Sequence, residues 1–484
     1  MAEEEALARA EADTGRSQPG EKIAPPENRP LWAAVILVAF VLAFAAFAFE
    51  RMFPPQPYGL ADDWRVFYAA GGIALHGGNP YATALIHRAE QHADFYRHVQ
   101  PSLDDYVNPP VVALALGLFT FLPFWGAFAL FSALGAGSGF FLLWLLLRKT
   151  GWALAPVWAG LAAFSWISLL GFFSGQLDFF LLGGVCGAVL LAARGRWLAT
   201  AVVMAIVMIK PDLLWPLPFL IATSFLPDWQ KFRRFLLASV AVGMVLMGIG
   251  EAAMPGSTIA FLKHLILFGK GIETVQPDIA GLSGLFQPFA FSSYATIGIA
   301  LAGVVAVAAV CITGARSQAL QVLPQRTRVL LTVGAGMTVW MLATPYAHPN
   351  DDIMLLPFLA VVVGRNAALI TNRLLGIAIG LCLVLMLLFF TVPAAGGLVA
   401  AIIALTLLLA RARVPQGFYP NLALASMLLL PMVWPFHISP VSLTPMAVAS
   451  LAAAFCILYA KSAMGSWDAR INFPPVLDNP AGLR

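Results

Sequence analysis

The sequence predicts an all-α polytopic membrane protein, because charged residues are scarce and long apolar runs recur along the chain. Only 11% of the 484 residues are charged and 60% are hydrophobic, whereas soluble domains carry about 25% charged residues. Apolar runs recur from Leu31 to Ala460, and one membrane-crossing helix needs about 20 apolar residues. We therefore expect a bundle of about 12–14 transmembrane helices.

The order of polar and apolar runs predicts the organisation of the chain. The acidic N-terminus lacks the features of a cleaved signal peptide, so we interpret the first apolar run as a retained anchor. We expect, in order, a disordered cytoplasmic tail at 1–30, a first transmembrane helix at 31–49, a large periplasmic loop with interfacial helices at 50–108, transmembrane helices at 109–250, a second periplasmic loop at 251–292, C-terminal transmembrane helices at 293–460 and a cytoplasmic tail at 461–484.

Basic residues indicate the orientation, because Lys and Arg favour the cytoplasmic side of a membrane. The main clusters can all face the cytoplasm and begin at Lys231, Arg316, Arg365 and Arg411. The basic residues of 148–149 and 194–196 join them only if 109–147 crosses once and 197–226 forms a hairpin. If 109–122 is a separate span and 197–226 is one kinked helix, those pairs lie outside.

Two adjacent carboxylates, Asp62 and Asp63, stand near the start of the aromatic part of the first external loop. Trp64, Phe67 and Tyr68 follow at helical spacing, which favours a helix lying in the membrane interface. The helix dipole stabilises a carboxylate at the N-terminus, but a cap needs only one. We therefore expect one Asp to be functional, whereas both carboxylates are structural in the alternative interpretation.

Ionisable residues at the membrane edge are functional candidates by default, and three further stretches contain them. In "VMIKPDLLWPLPF" Lys210 either pairs internally with Asp212 or faces a cavity where its ammonium binds an anion such as phosphate. The "FFSGQLDFF" turn offers Gln176 as a ligand-contacting amide, or simply a polar turn with a helix cap. The outer loop "ATPYAHPNDD" supplies Tyr346, His348 and Asp351, either for a ligand or as a cap.

The sequence does not indicate a metal site or a cofactor. Glu90, Asp94 and His98 share a helical face, but a solvated amphipathic helix explains them better than metal ligands do. The four cysteines lie inside apolar runs without CxxC spacing. The net charge of +4 is spread over short loops, which indicates topology and not nucleic-acid binding.

The ordered set of motifs resembles glycosyltransferase family 87 of the GT-C superfamily, which includes polyprenyl-phosphate-mannose-dependent mannosyltransferases. The N-terminal pattern matches "DWRVFYAAGGIALHGGNPY", which contains Arg65, Tyr68 and Tyr81, and "YVNPP" places Asn108 at the next span. The "SGQLD" turn, the "IKPDLLWP" break and the "PYAHPNDD" loop follow in the family's order. The resemblance favours the second topology, with a kinked helix at 197–226.

The resemblance implies a donor sugar on a polyprenyl phosphate and an acceptor hydroxyl on a glycolipid or glycan. Asp63 would be the general base, with Asp62 as the alternative, and the sugar would be transferred with inversion. Lys210, His348 and Arg65 would stabilise the lipid phosphate. Substrate contacts would come from Tyr68, Tyr81, Asn108, Gln176, Tyr346 and Asp351.

The likeness also implies a multi-pass protein of the bacterial inner membrane, surrounded by lipid, whose active site faces the periplasm. Mannose is the sugar most often associated with the family, and arabinofuranose is an alternative. Some GT-C enzymes use a divalent metal, which this sequence does not indicate. A secondary transporter or flippase for a lipid-linked or anionic solute is the alternative from another class, since Lys210 and His348 could form a relay.

Overall fold

The computed structural model confirms an all-α membrane protein and contains no β-strand among the residues that it describes. These residues are 61–92, 105–149, 168, 171–172, 174–268, 281–283, 292–345, 347–358 and 444–465. The predicted first span at 31–49 lies outside them, as do the basic clusters at Arg365 and Arg411. The helices are α1 Asp62–Leu75, α2 Thr83–His92, α3 Pro110–Gly117, α4 Phe124–Lys149, α5 Asp178–Ala193, α6 Trp197–Val207, α7 Pro211–Leu214, α8 Pro216–Phe225, α9 Trp229–Ala253, α10 Ser257–Phe268, α11 Ser292–Arg316, α12 Gln318–Gln321, α13 Gln325–Ala343 and α14 Thr444–Ala463, with a 3-10 helix at Pro349–Leu355.

Three helices in the described part of the chain are long and apolar enough to cross a membrane: Phe124–Arg148, Trp229–Ala253 and Ser293–Arg316. Helix α9 exposes Leu237, Met244 and other large apolar side chains along its outer face, as expected for contact with lipid. By contrast, α5 and α13 are buried along most of their length and form the centre of the bundle. The apolar composition therefore serves both a packed interior and a lipid-facing exterior.

One end of the bundle collects the basic residues at 194–196, 231–234 and 326–328, and we call it the basic end. The Gln325 amide at the start of α13 donates to the Ala192 carbonyl at the end of α5, at 2.7 Å. A Cβ on Gly195 would lie 3.9 Å from the Lys231 ammonium. At the same end the Ser317 hydroxyl donates to the Ala463 carbonyl, at 2.8 Å.

Residues 197–225 leave the basic end and return to it, so they form a hairpin. Arg328, near the start of α13, donates to the Ser224 carbonyl at the end of α8, at 2.9 Å. Trp340, near the other end of α13, donates to the Leu213 carbonyl at 2.9 Å. Helix α6 begins two residues after Gly195, at the basic end, so both arms start there and the tip lies at the opposite end. The kinked single helix favoured by the family resemblance is therefore wrong.

The segment at 109–122 is too short to be a separate span. Its helix, α3, has eight residues, which is about 12 Å against a hydrocarbon core of about 30 Å. Helix α4 packs parallel to α5, since Gly135 meets Phe180 and Leu142 meets Gly187, and so it ends at the basic end. The structure thus has the topology in which 109–147 crosses once and 197–226 forms a hairpin.

A second, smaller core covers the end of the bundle opposite to the basic end. It joins α1, α3, the start of α4 and α10, and includes Trp64, Tyr106, Phe131 and Phe261. Helices α1 and α3 cross closely, because a Cβ on Gly71 would lie 2.7 Å from the Gly117 nitrogen. This core fixes α1, α3 and α10 onto the start of α4, at the end of the bundle where the hairpin tip lies.

Candidate active site

Lys210 stands at the tip of the hairpin, between α6 and α7. Pro211 has no backbone N–H and disfavours helical geometry in the preceding residue, and Lys210 accordingly adopts φ −120° and ψ 75°. The chain turns back at this position, so the lysine projects from the tip and not from the middle of a span. Its side chain remains 17% exposed.

Two carboxylates from distant parts of the chain face the Lys210 ammonium. Asp351 Oδ1 lies 2.5 Å from Lys210 Nζ, and Asp178 Oδ1 lies 3.7 Å from it. The second oxygen of Asp351 accepts from the His348 backbone N–H at 2.8 Å. Asn350 donates its side-chain N–H to Asp178 Oδ2 at 2.6 Å. Because buried charges are stable only when paired, this cluster holds together α5, the hairpin tip and the 3-10 helix.

The pairing of Lys210 differs from its sequence-based alternatives. Asp212, the expected internal partner, forms no ion pair with Lys210 within the part of the chain that the structure describes. Asp178 is not a helix cap either, since α5 has Leu177 at its N-cap position without a side-chain hydrogen bond. Asp351 has the expected capping contact, because it accepts from the His348 backbone, and it also pairs with Lys210, which the sequence did not predict.

Asp62 and Asp63 are the first two residues of α1 and not its N-cap. The N-cap position belongs to Ala61, which has a left-handed backbone with φ 62° and no side-chain hydrogen bond. Both residues therefore belong to the first turn, where the helix dipole favours negative charge. The Asp63 side chain is half-buried, and that of Asp62 lies outside the described residues.

The start of α1 packs directly against the turn that leads into α5. Gly175 in this turn has φ +77°, and a Cβ there would lie 2.6 Å from the Cβ of Trp64. Trp64 is fully buried and its indole stacks near Phe131, with ring centroids 4.5 Å apart. Asp63 is therefore the sequence neighbour of Trp64, which contacts this turn. Asp178 follows Gly175 by three positions. The turn residue Gln176 is half-buried, with its backbone N–H donated to the Gly171 carbonyl.

Arg65 does not join the Lys210 cluster. Its guanidinium is buried and its Nε lies 4.0 Å from Glu90 Oε1 on α2. Glu90 is thus on the buried face of α2 and not on a solvated one, whereas Asp94 and His98 lie outside the described residues. This pair joins α1 to α2.

The aromatic candidates for substrate contact use their hydroxyls within the protein. Tyr68 donates to the Leu122 carbonyl at 2.9 Å, and Tyr81 donates to the Asn108 carbonyl at 2.6 Å. Burial raises the pKa of Tyr81 above its usual range, so the phenol stays a donor at neutral pH. Tyr346 lies outside the residues that the structure describes.

A further group of titratable residues joins the segment before α3 to α10. Asp105 places one oxygen 3.6 Å from His87 Nε2 and the other 3.8 Å from His264 Nε2. These distances exceed those of hydrogen bonds. Within the described ranges, no group of three or more His, Cys, Asp and Glu side chains could hold a metal ion.

These features define the class: an all-α membrane protein with a charged cluster, and with the start of α1, at the end opposite to its basic loops. The family model of glycosyltransferase family 87 matches residues 106–345. The chain belongs to this family and is a membrane glycosyltransferase, which replaces the transporter or flippase alternative. The matched region contains Asp178 and Lys210 and ends before His348. Neither the comparison with curated proteins nor that with solved structures found a match.

Proposed function

We propose that this glycosyltransferase moves mannose from a polyprenyl phosphate to an acceptor hydroxyl on a glycolipid or glycan. The proposed reaction takes place at the periplasmic face of the bacterial inner membrane. The positive-inside rule supports this side, because the basic end would face the cytoplasm and the hairpin tip the opposite compartment. Membrane lipid would surround the lipid tail of the donor, so that only the phosphate and the sugar reach the charged cluster.

In the proposed mechanism Asp63 removes the proton from the acceptor hydroxyl as its oxygen attacks the anomeric carbon. A new glycosidic C–O bond forms while the bond from that carbon to the phosphate oxygen breaks. The bonding electrons leave with the lipid phosphate, and the single displacement inverts the anomeric centre. Asp63 carries the proton until water takes it up, and no nucleotide is consumed.

Lys210 is the proposed partner of the departing phosphate, with His348 as its neighbour. An ammonium has three N–H donors, and the contact with Asp351 uses one of them. The exposed part of the Lys210 side chain leaves room for a phosphate oxygen. A fixed positive charge where negative charge develops stabilises the transition state.

One observation carries the proposal: the close packing of Trp64 on Gly175. It brings the Asp62–Asp63 end of α1 to the same turn that leads to Asp178, and Asp178 faces Lys210. A base and an anion-binding group on opposite sides of one sugar are what an inverting transfer requires. The packing connects these two groups through rigid, buried elements.

The test compares Asp63→Asn with Asp62→Asn in the purified full-length protein. Radiolabelled polyprenyl-phosphate mannose serves as donor, and a lipid and glycan extract of the host membrane serves as acceptor. We expect Asp63→Asn to lower kcat by about 10²–10⁴-fold, the usual contribution of a general base, and Asp62→Asn to keep most of the activity. Full activity in Asp63→Asn removes it as the base, and loss in Asp62→Asn alone assigns the role to Asp62.

A further inference from the structure

The two carboxylates at Lys210 are not equivalent. Both oxygens of Asp351 accept a hydrogen bond, one from the ammonium and the other from the His348 backbone. Asp178 uses Oδ2 for the Asn350 amide, whereas its Oδ1 accepts no hydrogen bond from a nitrogen donor among the described residues, and the Asp351 carboxyl lies beside Asp178. That oxygen is buried and lies 3.7 Å from Lys210 Nζ. A buried carboxylate oxygen that accepts no N–H donor is costly, and the charge of the Lys210 ammonium offsets part of this cost.

The position of Asp178 is fixed by its surroundings. It begins α5, which is buried along almost its whole length, and it lies close to Gly171, where an added Cβ would be 3.6 Å from Oδ2. Asn350 holds the same oxygen from the 3-10 helix. By contrast, Lys210 is at the tip of a hairpin and has a long flexible side chain. The rigid group is therefore the carboxylate, and the adjustable group is the ammonium.

The distance between Asp178 Oδ1 and the Lys210 ammonium determines how many N–H donors remain for a ligand. At 3.7 Å a carboxylate attracts the positive charge strongly in a buried site, but it takes up none of the N–H donors at hydrogen-bond distance. Lys210 therefore gives only one donor to Asp351 and keeps the other two. A second hydrogen bond from the ammonium to Asp178 would leave one fewer for a phosphate.

We propose that Asp178 is a positioning residue for Lys210, and that Asn350 fixes Asp178 in this role. The inference rests on the proposed function, in which Lys210 contacts the phosphate of the lipid-linked donor. Asp178 attracts the Lys210 ammonium and keeps it charged, at a distance that leaves the N–H donors of Lys210 unused. Asn350 holds the Asp178 carboxylate so that Oδ1 does not approach the ammonium to hydrogen-bond distance. A helix-capping role does not explain the contacts, since the N-cap of α5 has no side-chain hydrogen bond.

The experiment is a double-mutant cycle on the full-length protein with Asp178→Asn, Lys210→Met and the double variant. Donor KM and kcat are measured with radiolabelled polyprenyl-phosphate mannose at fixed acceptor extract. We expect Lys210→Met to lower kcat/KM by about 10²–10³-fold, as for the loss of one charge-stabilising donor. Asp178→Asn alone is expected to lower it by about 10–100-fold, the scale of groups that orient a charged partner.

The informative result is the double variant. If Asp178 acts through Lys210, adding Asp178→Asn to Lys210→Met lowers kcat/KM no further, because coupled residues are not additive. The comparison variant is Asp212→Asn, which removes a carboxylate that attracts the Lys210 charge but forms no ion pair with it among the described residues. We expect this variant to keep kcat/KM within about 3-fold of wild type, the spread of context effects on one site.

Three results decide the inference. Full multiplication of the two single effects would overturn it, as would wild-type kinetics in Asp178→Asn when Lys210→Met is impaired. Full activity in Lys210→Met would instead overturn the proposed phosphate-binding role itself, so the two failures are distinguishable. If Asp178→Asn does not fold, Asn350→Ala replaces it in the cycle, and the same rule of non-additivity applies.

Discussion

Replacing Gly175 by Ala tests whether the packing of α1 on the turn before α5 supports both stability and transfer. Two effects add at this position. An Ala at φ +77° is in the left-handed region, which costs about 1–2 kcal/mol for an L-residue. The new Cβ would also lie 2.6 Å from the Cβ of Trp64 and 3.0 Å from a ring carbon of Phe128.

The second effect is the larger structural disturbance. Carbon atoms pack best at about 3.5–4.0 Å, so α1 or the turn must move by about 1 Å, and overpacking of this kind costs about 1–3 kcal/mol. The total loss of stability is therefore about 2–5 kcal/mol. A displacement of about 1 Å between reacting groups can lower the rate about 10²-fold, so we expect a loss of transfer that exceeds the loss of folded protein.

Gly256→Ala is the matched control for this prediction. Gly256 has φ +83°, and a Cβ added there would meet no atom within 4 Å, so this substitution has only the backbone cost. Both variants are compared in detergent by the midpoint of thermal unfolding and by transfer from radiolabelled polyprenyl-phosphate mannose. Equal unfolding midpoints and equal activities in the two variants would refute the reasoning, because the contact with Trp64 would then have no effect.

Two further predictions concern the fold around the site. Arg328→Met should destabilise the protein by about 3–5 kcal/mol, because the guanidinium is buried and donates to the carbonyls of Ser224, Gln321 and Leu323. Arg328→Lys should recover part of this loss, measured as the midpoint of thermal unfolding. Equal midpoints for the two variants would contradict the prediction. Tyr81→Phe should lower stability by about 1 kcal/mol through loss of one hydrogen bond. Because burial raises the pKa of Tyr81, the contribution of Tyr81 to folding stability is complete below about pH 10 and declines at higher pH. The unfolding midpoint should therefore fall less steeply above about pH 10 in Tyr81→Phe than in wild type.

The Lys–Pro–Asp stretch could be recognised from the sequence as a break in an apolar run, but its partners could not. Lys210 and Asp212 are neighbours in sequence, yet residues two apart do not face each other on a helix, and Pro211 begins α7 between them. The actual partner, Asp351, is 141 positions away, and Asp178 looked like an ordinary helix cap. Contacts of this kind depend on tertiary packing, which local patterns do not contain.

The topology could also be predicted only in part from the sequence. The apolar run 197–226 has one polar interruption, and composition alone fits both a bent crossing and a hairpin. Basic residues at Arg194 and Arg196 argued for the hairpin, while the family resemblance argued against it, and the structure agrees with the charges. The length of α3 was also hidden, because the turn that follows it is as apolar as the helix.

A chain segment that enters and leaves on one side contributes an even number of passages through the bilayer. Loss or gain of the whole unit from Trp197 to Phe225 would therefore leave every later helix inserted in its present direction. Lys210 at its apex therefore lies on a segment whose length and sequence can change without reversing the orientation of the later helices.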